Sequence, residues 1–127
     1  MNITRENLEA FAARWAEAWN RRDMSSVLEH FHEDIVFTSP TALAVVGSPI
    51  IRGKQMLREY WTTALAGSTS LRFTVDYVLW DPERRELAII YTSDIDGRTK
   101  RVSENLRFNE DEQVVAAEVF HGVFGLS

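Results

Sequence analysis

Two ionisable residues stand in runs that otherwise read as apolar. Alternation places Val102, Glu104, Leu106 and Phe108 on one face of a strand, and Val115, Ala117, Val119 and His121 on one face of the next. Both faces are mainly apolar, so both should look into a core, and each carries one polar intruder. A carboxyl in apolar surroundings holds its proton more tightly, and an imidazolium beside it offsets that rise. Meeting in one cavity, Glu104 and His121 would form a candidate catalytic pair for proton abstraction next to a carbonyl, or for dehydration. The bland alternative is a buried Glu–His hydrogen bond without chemistry, or a Glu104 that leaves toward the rim and a His121 that merely fills space.

Other chemistry is harder to build from these residues. His30 and His32 flank Phe31, and with Glu33 and Asp34 they resemble a ligand cluster. Residues two apart on a helix point in different directions, so no metal site is expected, and the two carboxylates read as a solvated turn. Neither a phosphate-cradling glycine loop nor a G-x-S-x-G nucleophile turn occurs, and no nicotinamide or flavin fingerprint is present, so no cofactor is expected. With no cysteine, thiolate zinc sites and cysteine nucleophiles are excluded.

The elements that must position the pair follow from periodicity. From Thr4 to Arg21, Leu8, Phe11, Ala12, Trp15, Ala18 and Trp19 recur at three- and four-residue steps, which predicts an amphipathic helix capped by Thr4. Asp23 caps a short second helix, Met24 to Phe31. Ile35 to Ser39 reads as a β-branched and aromatic strand halted by Pro40. Residues Thr41 to Ile51 read as an exposed apolar loop, a lid or a contact with another chain. From Lys54 the pairs Met56/Leu57, Tyr60/Trp61 and Ala64/Leu65 predict a third helix ending near Gly67.

After Ser70 the period becomes two, with Leu71, Phe73, Val75, Tyr77 and Leu79 on one face. Strands Glu86–Asp94, Arg98–Phe108 and Val114–Phe124 follow, separated by Asp81-Pro82-Glu83-Arg84, Asp96-Gly97 and Asn109-Glu110-Asp111-Glu112. Three helices at the front and consecutive hairpins at the back predict an α+β domain, a curved antiparallel sheet wrapped around the helices with a concavity between them. On the opposite sheet face, Val78, Trp80, Ala88, Ile90, Ala116 and Phe120 form an apolar patch that a second copy of the chain would cover.

Length and charge bound the rest. The 127 residues, 45% hydrophobic and 26% charged, make one domain spanning 1–127. Fourteen basic against nineteen acidic residues leave a formal net charge of −5, which offers no attraction to nucleic-acid phosphates. No run reaches the ~18 apolar residues of a membrane span, and Met1 to Glu6 is not a cationic lead into an apolar stretch. We expect a cytoplasmic protein with neither nucleic-acid nor membrane partners.

The order Phe11-Ala12-Ala13-Arg14-Trp15, Trp19-Asn20-Arg21-Arg22-Asp23, Leu28-Glu29-His30-Phe31, Asp34-Ile35-Val36-Phe37, Ile51-Arg52-Gly53 and Leu106-Arg107-Phe108-Asn109 resembles the nuclear transport factor 2-like superfamily, and within it the SnoaL-like polyketide cyclase and ketosteroid isomerase branch. The resemblance implies a cone-shaped, cystatin-like α+β barrel, a deep apolar pocket and a homodimer. It implies no single activity, since isomerases, cyclases, dehydratases, epoxide hydrolases and non-catalytic binders share the fold. Carried over residue by residue, the isomerase tyrosine falls on Trp15 and its carboxylate base on Ser39. The protonated acid of its oxyanion hole falls on Glu104, and a pocket aromatic falls on His121. With two of three catalytic groups replaced, ketosteroid isomerisation is not expected. The same resemblance makes Trp15 and Trp61 ligand-lining residues, with Phe37, Ser39 and Tyr91 completing the wall.

Two readings therefore stand. One is a pocket protein for a small hydrophobic carbonyl or hydroxyl compound, acting as a cofactor-free isomerase, cyclase or dehydratase. The other is a non-catalytic ligand-binding or dimerisation domain of the same fold.

Overall fold

The computed structural model describes residues 3–124 and has the α+β architecture the sequence predicts, a curved, unclosed sheet packed against helices. Its elements run α1 (Arg5–Asn20), α2 (Met24–Leu28), β1 (Phe31–Thr38), α3 (Pro40–Val46), β2 (Ile50–Arg52), α4 (Lys54–Leu65), β3 (Leu71–Asp81), β4 (Glu86–Ile95), β5 (Arg98–Phe108) and β6 (Val114–Phe124). The strands form one six-stranded sheet in the order β2-β1-β6-β5-β4-β3. Its pairs are antiparallel except β1 with β6, which run parallel.

Local chemistry sets the helix boundaries. Thr4 Oγ1 accepts from the Asn7 amide at 3.1 Å, and Asp23 Oδ1 accepts from the Ser26 amide at 3.1 Å, so each satisfies an otherwise unpaired first-turn donor. Gly53, at φ +88°, starts α4 in a conformation that side chains rarely adopt, and its amide donates to the Ile35 carbonyl at 2.8 Å. Asp96 and Gly97 both have positive φ, the requirement of a tight two-residue hairpin turn. Asp96 Oδ1 also accepts from the amides of Thr69 and Ser70, tying the segment before β3 to the β4–β5 hairpin.

Four expectations are corrected. The segment Thr41 to Ile51 is not a loop: Ser39 caps α3, Pro40 occupies its first turn, and Gly47 ends it at φ +80°. That Ser-Pro start and Gly stop are ordinary helix punctuation, and the short β2 follows, so the chain has a fourth helix and not all helices precede the strands. The second helix stops at Leu28, and His32 lies in β1, where its Nδ1 accepts from the Asp34 amide at 2.9 Å.

The third correction concerns β3, which carries a bulge at Asp76, where register with β4 steps from Val75–Tyr91 to Tyr77–Ile90. One extra residue turns every later side chain over. Val78 and Trp80 therefore pack against the core, and Tyr77 and Leu79 stand exposed on the outer face, the reverse of strict alternation. A bulge at Val115 likewise puts Val114, fully buried, in the place Val115 was expected to take.

The core fills the closed end of the cone with Leu28, Ile35, Leu87, Ile89, Leu106 and Val114. Each such side chain contributes about 1.5–3 kcal/mol by leaving water. Asn20 joins the layers: its side chain donates to the Phe73 carbonyl at 3.0 Å and accepts from the Phe73 amide at 2.7 Å, so α1 supplies the edge strand with a substitute ladder partner.

Candidate functional site

The open end of the cone holds a cavity of about 110 Å³ between α4, the end of α1 and the inner face of the sheet. Its helix side is aromatic. Trp19 meets Trp61 edge to face at 4.7 Å between ring centroids, and Phe37 meets Trp61 in the same way at 5.7 Å. The strand side is polar, because β5 alternation turns Lys100, Val102 and Glu104 inward and β4 alternation turns Tyr91 and Ser93 inward.

Glu104 is the central group. It is only 6% exposed, and its Oε1 accepts from the Tyr91 hydroxyl at 3.3 Å. Burial in apolar surroundings pushes its carboxyl up to about 8, against the smaller opposing effect of the Tyr91 hydrogen bond. Glu104 therefore keeps its proton at neutral pH. Burial, with Glu104 adding to it, also raises Tyr91, and burial raises Tyr60 to about 12, so both phenols are neutral donors. The hydroxyls of Tyr60 and Ser39 share a hydrogen bond, and Ser39 Oγ accepts from the Thr41 amide at 3.2 Å. One buried serine thus caps α3 and lines the cavity.

His121 lines the same cavity, half-buried, but is not hydrogen-bonded to Glu104. Register explains this. Val102 faces His121 and Glu104 faces Val119, so the two ionisable residues are diagonal neighbours, about 7–8 Å apart at Cα in a regular antiparallel pair. The contact His121 does make is with Lys100, whose Nζ lies 3.3 Å from Nδ1 and 3.4 Å from Nε2. Burial, and then the lysine's charge, lower the imidazole below its ordinary value, while burial lowers Lys100. The next residue, Gly122, lets β6 lie close against β5, since a Cβ there would stand 3.0 Å from both Cβ and the carbonyl oxygen of Arg101.

Of the residues singled out in the sequence, Phe37, Ser39, Trp61, Tyr91, Glu104 and His121 line this cavity. Trp15 does not. It lies behind the wall, packed on Tyr91 at 5.0 Å and Phe73 at 5.7 Å, and its outer edge faces a separate groove along α1 and α2. Trp19, one helical turn on, takes the lining position, and its indole Nε1 is buried without a hydrogen-bond partner. Lys100 escaped the sequence reading, whereas Tyr60 and Trp19 read there as apolar helix faces, more often core than pocket wall. Lys100 shares parity with Glu104 along β5, a signal that was available; Tyr60 and Trp19 sit in ordinary amphipathic patterns that do not distinguish a cavity wall from a core. Among the described residues, no group of three or more His, Cys, Asp or Glu is placed to hold a metal ion.

The family model for the SnoaL-like domain matches residues 12–117. The chain belongs to the SnoaL-like family. Comparison with curated proteins finds no match. Among solved structures, a SnoaL-like protein of unknown function from Burkholderia thailandensis superimposes with a TM-score of 0.85 at 27% identity, covering 97% of this chain and 100% of that one. The epoxide hydrolase/cyclase-like enzyme SalBIII, of pyran ring formation in the polyether salinomycin, gives 0.72 at 14% identity over 96% and 97% of the two chains. TerC, co-crystallised with polyporic acid, gives 0.74 at 12% identity over 91% and 90%. At these identities the last two share the fold of this SnoaL-like chain. No helix among its described residues is long and apolar enough to cross a membrane.

Proposed function

We propose that the chain is a cofactor-free acid/base enzyme acting on a small hydrophobic carbonyl or hydroxyl compound held in the Glu104 cavity. The observation that carries this reading is a buried carboxyl that keeps its proton at neutral pH beside a half-buried imidazole that does not. Glu104 donates to the ligand oxygen as charge develops there, Tyr91 holds the carboxyl in place, and neutral His121 removes the proton from the adjacent carbon. At about 110 Å³ the cavity lies below the ~300–1,000 Å³ of drug-sized sites, which favours monocyclic ligands over fused ring systems. SalBIII, which shares the fold, is epoxide hydrolase/cyclase-like and serves pyran ring formation, and cyclisation is among the reactions this reading covers.

Cyclohexanone in D₂O is the test, with deuterium entry at the α-carbon followed by NMR. Exchange should exceed that in buffer, fall above about pH 8 as Glu104 ionises, and drop roughly 10²-fold in Glu104→Gln or His121→Phe. Exchange at the buffer rate sinks the enzymatic reading. Cyclohexanone binding without exchange marks a non-catalytic binding domain.

The outer sheet face supports a homodimer in this reading. Tyr77 and Leu79 on β3 and Phe120 on β6 stand roughly half exposed there, at the two sides of an outer face with Ile90 and Ser103 between them that a second copy would cover. Light scattering should give twice the chain mass for the native protein and a single chain for Phe120→Glu; a native monomer removes the dimer.

A further inference from the structure

Lysine is scarce in this chain. Of its 14 basic residues two are lysines, Lys54 and Lys100, and the remainder are arginines. One of the two lines the cavity. Arginine has no nucleophilic amine at any accessible pH, so a lysine at this position admits chemistry that its usual replacement does not.

The surroundings of Lys100 fit that chemistry. Its stem runs into a largely aromatic cavity, its Nζ touches both ring nitrogens of His121 at 3.3–3.4 Å, and Glu104 lies two inward positions along the same strand. An amine becomes nucleophilic when desolvation in an apolar pocket or a neighbouring basic group favours its neutral form. Burial acts on Lys100 in that direction. Two protonated bases in contact repel, so the Lys100–His121 pair also favours states in which one of the two is neutral.

We propose that Lys100 forms an imine with a small aldehyde or ketone in the cavity, with Glu104 and His121 moving the protons. The neutral amine attacks the carbonyl carbon as the C=O π bond opens and its oxygen takes the proton of Glu104. His121 then removes a proton from the nitrogen, giving a neutral carbinolamine. The nitrogen lone pair expels the hydroxyl, which leaves as water with the proton returned by His121. The products are an iminium ion, a neutral imidazole, one water and the Glu104 carboxylate, so the new positive charge stands near the carboxylate just formed. No oxidant or reductant is needed. An iminium acidifies the adjacent carbon, so the step would feed the proton abstraction proposed above. It rests on that reading in taking the cavity as the carbonyl-binding site, Glu104 as its proton donor and His121 as its base, and abstraction of the proton from the adjacent carbon is a separate step.

Reductive trapping tests the imine directly. The native protein is incubated with cyclohexanone and sodium cyanoborohydride, which reduces iminium ions in place, and alkylated lysines are mapped by mass spectrometry. Lys54 is the internal reference. The cavity holds the ketone beside Lys100 and not beside Lys54 at the start of α4, so labelling of Lys100 should exceed that of Lys54 by about tenfold. Equal labelling of the two lysines, or none on Lys100, overturns the proposal. Deuterium exchange separates the two ideas. Exchange that persists in Lys100→Arg, with no adduct on the native Lys100, removes the imine and leaves the acid/base reading standing. An adduct on Lys100 without catalysed exchange supports the imine and removes the Glu104–His121 mechanism.

Discussion

Strand β5 crosses both ends of the cone, and its inward residues differ between them. At the closed end Leu106 and Phe108 lie in a packed core with Leu87, Val114 and the Phe11 ring, which meets Phe108 edge to face at 5.6 Å. At the open end Lys100 and Glu104 border a cavity shared with Tyr91, Ser93 and His121. The backbone ladder is common to both ends. What changes is that hydrophobic burial is collected in full at one end, while at the other a carboxyl is taken out of water against the Tyr91 hydroxyl. The closed end is organised for stability, and the open end keeps a buried carboxyl at a cost to stability that depends on pH.

The closed end is the place for the largest effect. Leu106 is fully buried, and Leu106→Ala removes most of its side chain and leaves a void that close-packed neighbours refill only in part. Urea unfolding should show a loss of about 3–5 kcal/mol. That loss should be the same at pH 5 and pH 9, because the substitution itself removes no titrating group. A loss under about 1 kcal/mol would show that this end is loosely packed and would erase the contrast.

How far these ends could be read from sequence follows from what fixes them. The closed end is built from period-two and period-3.6 apolar patterns, and Leu106, Ala117 and Val119 all take the faces that alternation assigns. Alternation fails where a strand gains a residue. The bulge at Asp76 reverses Val78 and Trp80 against Tyr77 and Leu79, and no residue in Val75-Asp76-Tyr77 announces it, since neither glycine nor proline is present. The missed α3 is different in kind. Its Ser39-Pro40 start and Gly47 stop are in the sequence, and the apolar run between them resembles a strand or loop as readily as a helix. At the open end, parity along β5 puts Glu104 inside, but sequence cannot reveal that His121 contacts Lys100 instead of Glu104. That choice depends on the register of β6 and on the irregularity beyond His121.

Glu104→Gln sharpens the comparison from the open end, with an effect of opposite sign that is confined to higher pH. In the unfolded chain Glu104 loses its proton near 4.5, whereas in the folded chain it keeps the proton until about 8. Between these values the folded state holds more protons than the unfolded one. Stability from this group is therefore fully present below about pH 4.5, falls as pH rises through the interval, and is lost above about pH 8. Glutamine has nearly the same shape, remains neutral and still accepts from Tyr91, so it removes the titration without opening a cavity. The variant should match the native protein at pH 4.5 to within about 1 kcal/mol and exceed it by roughly 5 kcal/mol at pH 9. Urea midpoints measured across that range read the difference directly. Parallel curves for the two proteins would mean that Glu104 titrates alike folded and unfolded. Water would then reach it freely, and the carboxyl could not be the proton donor on which the open end depends.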